Sequence, residues 1–280
     1  GGIILGIYTG LLGYVGAKTG LSLDLLSQRA FGEKGSYLPS AMTSFTQIGW
    51  FGVGSFVSGG TATPNFARFA KDGKSGAITT VVAFFIGNSL MFFFGAVSSI
   101  FVGGNDIFEV MVRLNLFYLA VLVLGLNIWT TNDNALYTAG LGLANIFHQR
   151  KKPMVLLSGI IGTVASVWLY YNFCGWLNIL NCTLPPVGMI LVLAYFMNKE
   201  DFETDQPKLK TIDWFAVAGV ILGAIVANLL HWGIASINGM VVAAVCYCVG
   251  QAVNKENRQN RPEYVPVSYL RNMFRAFYFF

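Results

Sequence analysis

Six polar residues interrupt one of the longest apolar stretches of the sequence. They lie within GLNIWTTNDNALY, residues 125–137, and are Asn127, Thr130, Thr131, Asn132, Asp133 and Asn134. Those at positions 127, 130, 131 and 134 follow the spacing i, i+3, i+4, i+7 and therefore share one face of a helix. That face carries hydroxyl and amide oxygens, which suit a hard cation such as Na⁺. We call residues 127–134 the polar knot.

The polar knot is predicted to lie in the middle of a membrane span. The apolar segment 116–146 is about 46 Å long as a helix at 1.5 Å per residue, and its midpoint is residue 131. A hydrocarbon core is about 30 Å thick, and polar groups at its centre usually line a cavity or an ion path. The alternative is hydrogen bonding between helices, worth roughly 0.6 kcal/mol per bond in membranes. The density of polar residues favours a binding site.

A second polar segment is TQIGWFGVGSFVSGGTATP, residues 46–64. Gln47 and Trp50 share a helical face, where an amide beside an indole can hold a flat ring that forms hydrogen bonds. Further along, hydroxyl and aromatic side chains alternate and are followed by helix-weakening residues: Ser55, Phe56, Ser58, Gly59, Gly60 and Pro64. Broken helices of this kind bind substrate in secondary transporters. A kinked packing helix with an aromatic filler is the alternative.

The composition requires a membrane. The chain of 280 residues is 55% hydrophobic and 11% charged, whereas soluble domains carry about 25% charged residues. The fold class predicted is therefore an all-α polytopic membrane protein, with one transmembrane domain over residues 1–253 and a basic tail over 254–280. The predicted spans are 1–16 (expected to be incomplete), 37–66, 77–103, 116–146, 154–172, 174–197, 214–230 and 234–253. Glycines at 6, 10, 13 and 16 predict a face for close helix packing.

The positive loops do not alternate as a complete set of spans requires. The segments 68–74, 148–152 and the tail are basic and so predicted to be cytoplasmic. The segment 17–35 is also basic, yet only one apolar segment, 37–66, separates it from 68–74. One span cannot return the chain to the same side, so either one loop departs from the rule or a stretch is missing near residues 49–60.

Enzyme chemistry is not indicated. There is no GxxxxGK[ST] loop for an ATP-driven pump and no arrangement of a nucleophile with a base. His148 and His231 stand alone, and the cysteines show no metal-ligand spacing. The net charge of +5 comes from the loops and does not require a nucleic acid partner. We predict neither an enzyme nor a resident cofactor.

Seven long segments resemble bacterial members of the nucleobase–cation symporter family. The resemblance covers most of residues 3–250, and the segments that carry it are LGIYTGLLGYVGAKTGL, FGEKGSYLPS, TQIGWFGVG, GSFVSGGTATPNFARFA, AFFIGNSLMFFFGA, VLGLNIWTTNDNALY and SGIIGTVASVWLYYNF. The resemblance implies an inverted-repeat transporter fold, with two repeats of five helices and two further C-terminal helices. It also implies sodium-coupled import of cytosine across the bacterial inner membrane by alternating access.

In the family, substrate and sodium bind between a bundle of helices one, two, six and seven and a scaffold of three, four, eight and nine. On that scheme residues 1–16 resemble helix two, 37–52 the start of helix three and 53–66 the broken helix six. The four spans from 77 to 197 resemble helices seven to ten.

The resemblance assigns a substrate pocket residue by residue. Gln47 corresponds to the substrate amide of helix three, and Trp50 to its stacking tryptophan. Ser55, Phe56 and Ser58 fall on the part of helix six that closes over the base, with Phe56 as the second stacking face.

The resemblance also assigns the polar knot to helix eight. Thr130 and Thr131 match two sodium-binding hydroxyls, and Asn127 supplies a main-chain oxygen. Asn132 matches an amide on the substrate side.

The chain departs from the family pattern in ways that bear on transport. Helix one and helices four and five are expected to be missing, with helix three joined to helix six at about residues 52–55. That junction would explain why the basic loops do not alternate between the two sides of the membrane. We predict that no continuous helix connects Trp50 to Phe56 in a functional molecule. The alternative function is that of a non-transporting, deleted membrane protein whose polar segments only pack helices together.

Overall fold

The computed structural model describes residues 2–53, 63–103, 107–204, 207, 209–230 and 232–256, and the regular elements within them are helices. In chain order they are α1 Gly2–Thr19, α2 Leu23–Phe31, α3 Tyr37–Val53, α4 Pro64–Ala67, α5 Gly73–Val81, a π-helical turn Val82–Gly87, α6 Asn88–Val102, α7 Ile107–Arg113, α8 Phe117–Phe147, α9 Lys151–Tyr171, α10 Phe173–Met197, α11 Lys199–Glu203, α12 Trp214–Leu229 and α13 Ala235–Glu256. The predicted all-helical class is confirmed.

Four helical segments among the described residues are long and apolar enough to cross a membrane: Gly73–Val102, Lys151–Leu169, Phe173–Met197 and Ala235–Val253. The first includes α5, the π-helical turn and α6 as one rod, and many of its apolar side chains are exposed. Such a surface is unfavourable in water and suits a hydrocarbon solvent, in which the helix satisfies its own backbone hydrogen bonds. A multi-pass membrane protein follows.

Three helices, α3, α8 and α9, pack together. Helix α8 carries the polar knot, and α3 carries the second polar segment as far as Val53. Glycine brings the first two close, since a Cβ at Gly142 of α8 would lie 2.8 Å from the main-chain oxygen of Ser40 on α3. Ser44 Oγ, one turn further along α3, donates to the main-chain oxygen of Ala139 at 3.1 Å. As residue numbers rise along α3, the numbers of the residues they contact on α8 fall, so the two helices are antiparallel.

The glycine face of α1 packs as the sequence predicts. A Cβ at Gly13 would lie 2.5 Å from Thr80 Oγ1 on α5, and one at Gly16 would lie 2.8 Å from Pro64 Cα on α4. Real Cβ atoms do not approach so closely, so both positions require glycine for this packing. The small face of α1 therefore holds α4 and α5 against it.

A buried apolar core surrounds α10. Ile190, Leu191 and Tyr195 of this helix are fully buried against side chains of α1, α2, α12 and α13. The segment 17–35, predicted only as a connection between spans, contains α2. Its N-terminus is capped by Ser22, whose hydroxyl accepts from Leu25 N at 3.5 Å, and its apolar face reaches the same core.

Candidate functional site

Gln47 and Trp50 lie on α3 at the level of the polar knot. The pairing of Ser44 with Ala139, continued along antiparallel helices with the same rise per residue, places positions 47 and 50 of α3 beside about 136 and 133 of α8. The Gln47 side chain is buried at 6% exposure and engaged in an interaction. The backbone register thus places Trp50 beside the C-terminal end of the polar knot and Gln47 about one helical turn beyond that end.

The polar knot belongs to an unbroken helix, and most of it is uncovered. Asn127, Thr130, Asp133 and Asn134 are exposed in the part of the chain that the structure describes. Thr130 Oγ1 donates to the main-chain oxygens of Leu126 and Asn127, both at 3.1 Å. A hydroxyl that gives its proton to the helix keeps its lone pairs available for a cation.

Two residues of the polar knot turn toward the interior. Thr131 and Asn132 are half-buried. The Oδ1 atom of Asn132 is itself buried and has no hydrogen-bond partner among the described residues. A buried acceptor without a donor costs about 1–3 kcal/mol, and groups left in this state in native proteins usually await a ligand or water. This atom fits the predicted role of Asn132 as an amide that faces substrate.

The remaining predicted pocket residues lie outside the described residues. Ser55, Phe56 and Ser58 fall within 54–62, and so does the second half of the predicted junction between positions 52 and 55. The chain is described again from Thr63, and α4 begins at Pro64. The junction, the helix break and the three pocket roles therefore stay predictions.

A buried polar cluster that sequence reasoning missed joins α2, α3 and α8. It comprises Asp24, Gln28, Ser36, Ser40 and Asn145, whose exposures run from 0% for Ser36 to 3% for Gln28. Asn145 Oδ1 accepts from Gln28 Nε2 at 2.6 Å, and its Nδ2 donates to Ser36 Oγ at 3.1 Å and Ser40 Oγ at 2.8 Å. Ser40 Oγ in turn donates to Asp24 Oδ1 at 2.6 Å. We call these five residues the anchor cluster.

The carboxyl group of Asp24 is the titratable member of the anchor cluster. Burial raises the pKa of Asp24 to about 6, against the opposing effects of the hydrogen bond from Ser40 and the positive charge of Arg68. The available sequence signals were an Asp in the apolar run GLSLDLL and an Asn near the end of α8. Neither shows by itself that the two residues meet.

Tyr137 connects the polar knot to the basic segment after α4. Arg68 Nη2 donates to Tyr137 Oη, and Phe66 lies 6.1 Å from the tyrosine ring, centroid to centroid. Lys151, at the start of α9, places its ammonium 3.6 Å from the same ring centroid. The part of the chain that resembles helix six therefore contacts α8 just beyond the predicted ion and substrate site, at a tyrosine that α9 also contacts.

Comparison with known proteins identifies the family. A model of permeases for cytosine/purines, uracil, thiamine and allantoin matches residues 1–63 and 53–253. The chain belongs to this permease family. It is 36% identical over 342 residues to the cytosine permease of Escherichia coli K12, covering 89% of this chain and 81% of the relative, with the same values for the cytosine permeases of strains O6:H1 and O157:H7. As a member of this permease family, it is a membrane transporter and not an enzyme.

The form of the permease match bears on the predicted junction. The family model matches in two stretches that overlap at 53–63, and this overlap begins within the predicted junction of helix three with helix six at about residues 52–55. The alignment to the relatives runs over 342 residues, while 89% of 280 is about 249, so roughly ninety aligned positions have no residue in this chain. Both facts are what an internal gap relative to the other permeases would produce.

Proposed function

We propose that the protein is a sodium-coupled symporter that imports cytosine across the bacterial inner membrane by alternating access. The observation that carries this proposal is the antiparallel register of α3 and α8, which sets Trp50 level with the C-terminal end of the polar knot and Gln47 about one turn beyond it. The proposed substrate is cytosine because the relatives are named cytosine permease. Cytosine is a flat ring with donors and acceptors on its edge, so stacking together with amide hydrogen bonds would recognise it.

The substrate pocket combines an aromatic face with amides from two helices. Trp50 would stack on the base, and Gln47 and Asn132 would bond its edge. The buried Oδ1 of Asn132 has no partner among the described residues, and a hydrogen bond donated by the base would satisfy this oxygen. This supports the proposed arrangement. Ser55, Phe56 and Ser58 would close over the opposite face of the ring.

The sodium ion would bind the oxygens of the polar knot. Thr130 Oγ1, Thr131 Oγ1 and the main-chain oxygen of Asn127 lie within about one helical turn and carry no net charge. The Thr130 hydroxyl donates to the main chain of its own helix, which leaves its lone pairs for an ion. One helix supplies only part of a coordination shell, so another segment must provide the other oxygens.

The rival proposal is a membrane protein of the same family that does not transport. Roughly ninety alignment positions without a residue in this chain favour it, because a transporter needs every wall of its pocket. The exposure of Asn127, Thr130 and Asn134 counts against the claim that the polar knot only packs helices, since packing residues lie between helices.

Uptake of radiolabelled cytosine into proteoliposomes separates the two proposals. We expect uptake with an inward sodium gradient, and much less when potassium replaces sodium. Uptake that is indifferent to sodium would remove the symport proposal and keep a cytosine permease. Saturable cytosine binding without uptake under either gradient would favour the rival.

A further inference from the structure

A groove runs along the outer surface between α8 and α9. Its volume is about 510 Å³. One wall is Leu136 of α8 and the other is a stripe on α9, formed by Lys152, Val155, Leu156, Gly159, Ile160, Thr163 and Val164. The stripe steps by three and four residues and so follows a single helical face.

The length of the groove matches one leaflet of a bilayer. From Lys152 to Val164 the helix rises about 18 Å at 1.5 Å per residue. A hydrocarbon core of about 30 Å leaves about 15 Å for each leaflet. A lipid chain that begins at the Lys152 end would therefore follow the groove nearly to the middle of the membrane.

The wall below Lys152 is apolar and is shaped by a glycine. Thr163 Oγ1 donates to the main-chain oxygen of Gly159 at 2.8 Å, so the hydroxyl is satisfied within the helix. Gly159 leaves a hollow opposite Leu136, because a Cβ there would lie 3.6 Å from Leu136 Cδ2. Leu156 and Val164 are 67% and 79% exposed, which leaves a hydrocarbon surface for an occupant.

The end of the groove is positively charged. Lys152 is the charged residue of the lining, and Arg150 and Lys151 precede it at the start of α9. The sequence has no Asp or Glu between Asp133 and Glu200, so this stretch of the chain carries only basic charged residues. Basic residues at the cytoplasmic end of a cleft between membrane helices attract anionic lipid headgroups.

We propose that this groove binds an anionic phospholipid, with an acyl chain along the α9 stripe and its phosphate at Lys152 and Arg150. An apolar slot with the length of one leaflet and a basic end is complementary to this amphiphile. A zwitterionic lipid fits the slot equally well but gains less at the basic end. Binding here is independent of sodium and cytosine and would stabilise the α8–α9 pair that carries the polar knot.

The test is native mass spectrometry of the purified protein titrated with phosphatidylglycerol or phosphatidylcholine. We expect tighter binding of phosphatidylglycerol, and Lys152→Gln should weaken it about fivefold, the effect of one basic residue near an anionic headgroup. Lys71→Gln, which removes an exposed basic residue from the 68–74 segment, is the matched control and should change nothing. If both substitutions weaken phosphatidylglycerol binding equally, or if neither weakens it, the proposal is overturned.

A second pair of variants tests the acyl slot. Gly159→Leu fills the hollow, and Thr163→Leu narrows the same groove from an exposed position that tolerates a longer side chain. Each should weaken binding of both lipids, while Gly159→Ala should retain it. Undiminished binding in Thr163→Leu would contradict the slot. Dimers cross-linked through Thr163→Cys at high lipid content would show that a second copy covers the groove, which would also overturn the proposal.

Discussion

The two halves of α8 both carry polar side chains, but in opposite surroundings. In the first half, Asn134 and most of the polar knot are exposed. In the second half, Asn145 is 2% exposed and makes three side-chain hydrogen bonds to α2, α3 and the turn between them. One helix thus contains a polar group that its neighbours saturate and another that its neighbours leave available.

The difference separates a structural use of polar residues from a functional one. Buried polar groups in proteins are nearly always paired, and the anchor cluster follows that rule. The polar knot does not, because Asn132 Oδ1 is buried without a partner among the described residues and the Thr130 hydroxyl bonds only its own helix. Residues that only hold helices together should look like Asn145. The polar knot differs from Asn145 in this respect, as its proposed role in binding ligands requires.

The largest expected effect is on stability, from the matched substitutions Asn145→Ala and Asn134→Ala. Both remove the same side chain from α8. Asn145→Ala leaves the buried Gln28 amide without its acceptor and opens a small cavity, so it should cost roughly 3 kcal/mol. Asn134→Ala changes an exposed position and should alter the free energy of unfolding by no more than about 0.5 kcal/mol. Thermal unfolding in detergent measures both, and equal losses would contradict the division of α8 into two kinds of polar segment.

The next effect concerns pH and Asp24. Its raised pKa means that the folded protein binds more protons here than the unfolded chain, so this contribution to stability is full below about pH 4 and is lost as the pH rises through about 6. The change is at most about 3 kcal/mol, taking 1.36 kcal/mol per pKa unit. Asp24→Asn keeps an acceptor for Ser40 and removes the titration. The stability of the variant relative to the unmodified protein should therefore rise between pH 4 and 7; a constant difference would show that Asp24 does not titrate in this range.

Most of the long helices could be predicted because a bilayer leaves the chain few options. Helix α8 is predicted at 116–146 and found at Phe117–Phe147, and the last span is predicted at 234–253 and found at Ala235–Glu256. A long apolar run in lipid must satisfy its backbone internally, so run length largely sets the helix. The inverted repeat and the sidedness of the loops depend on more than run length, and they stay predictions.

The anchor cluster could not be predicted, because its partners are distant in sequence. Asn145 lies 117 residues from Gln28 and 105 from Ser40. Helix α2 is only 9 residues long and contains buried polar side chains, so it lacks the apolar run that reveals a span. By contrast, the polar knot could be found from its spacing alone, since all its members belong to one helix. Local sequence patterns show which residues share a helical face, whereas contacts between residues of different helices can be identified only from the fold.

Removal of Trp50 tests the substrate side of the comparison. Trp50→Ala should weaken cytosine binding by about 2 kcal/mol, within the 1–3 kcal/mol per base seen for stacking in nucleic-acid binders, at every sodium concentration. Trp50→Phe should restore much of the affinity because it keeps an aromatic face. Trp168→Ala, which removes an exposed tryptophan of α9, is the matched control. Isothermal titration with cytosine measures all three, and normal affinity in Trp50→Ala would exclude this residue from the pocket.

The smallest expected effect is on the coupling between sodium binding and cytosine binding. If sodium and cytosine favour the same state of the protein, each raises the affinity of the other by the same factor, typically corresponding to about 1–3 kcal/mol. Thr131 and Asn132 are adjacent on α8, so an ion held by the Thr131 hydroxyl can fix the orientation of the amide that meets the base. Thr131→Ala should therefore weaken cytosine binding about tenfold at low sodium, at the lower end of that coupling range. The loss should shrink as sodium is raised, because the weakened site fills again, whereas the loss in Trp50→Ala should stay constant. Thr131→Ser keeps the hydroxyl and should retain the sodium dependence of the unmodified protein. An unchanged sodium dependence in Thr131→Ala would mean that the polar knot does not bind the coupling ion, and its exposure would then need another explanation.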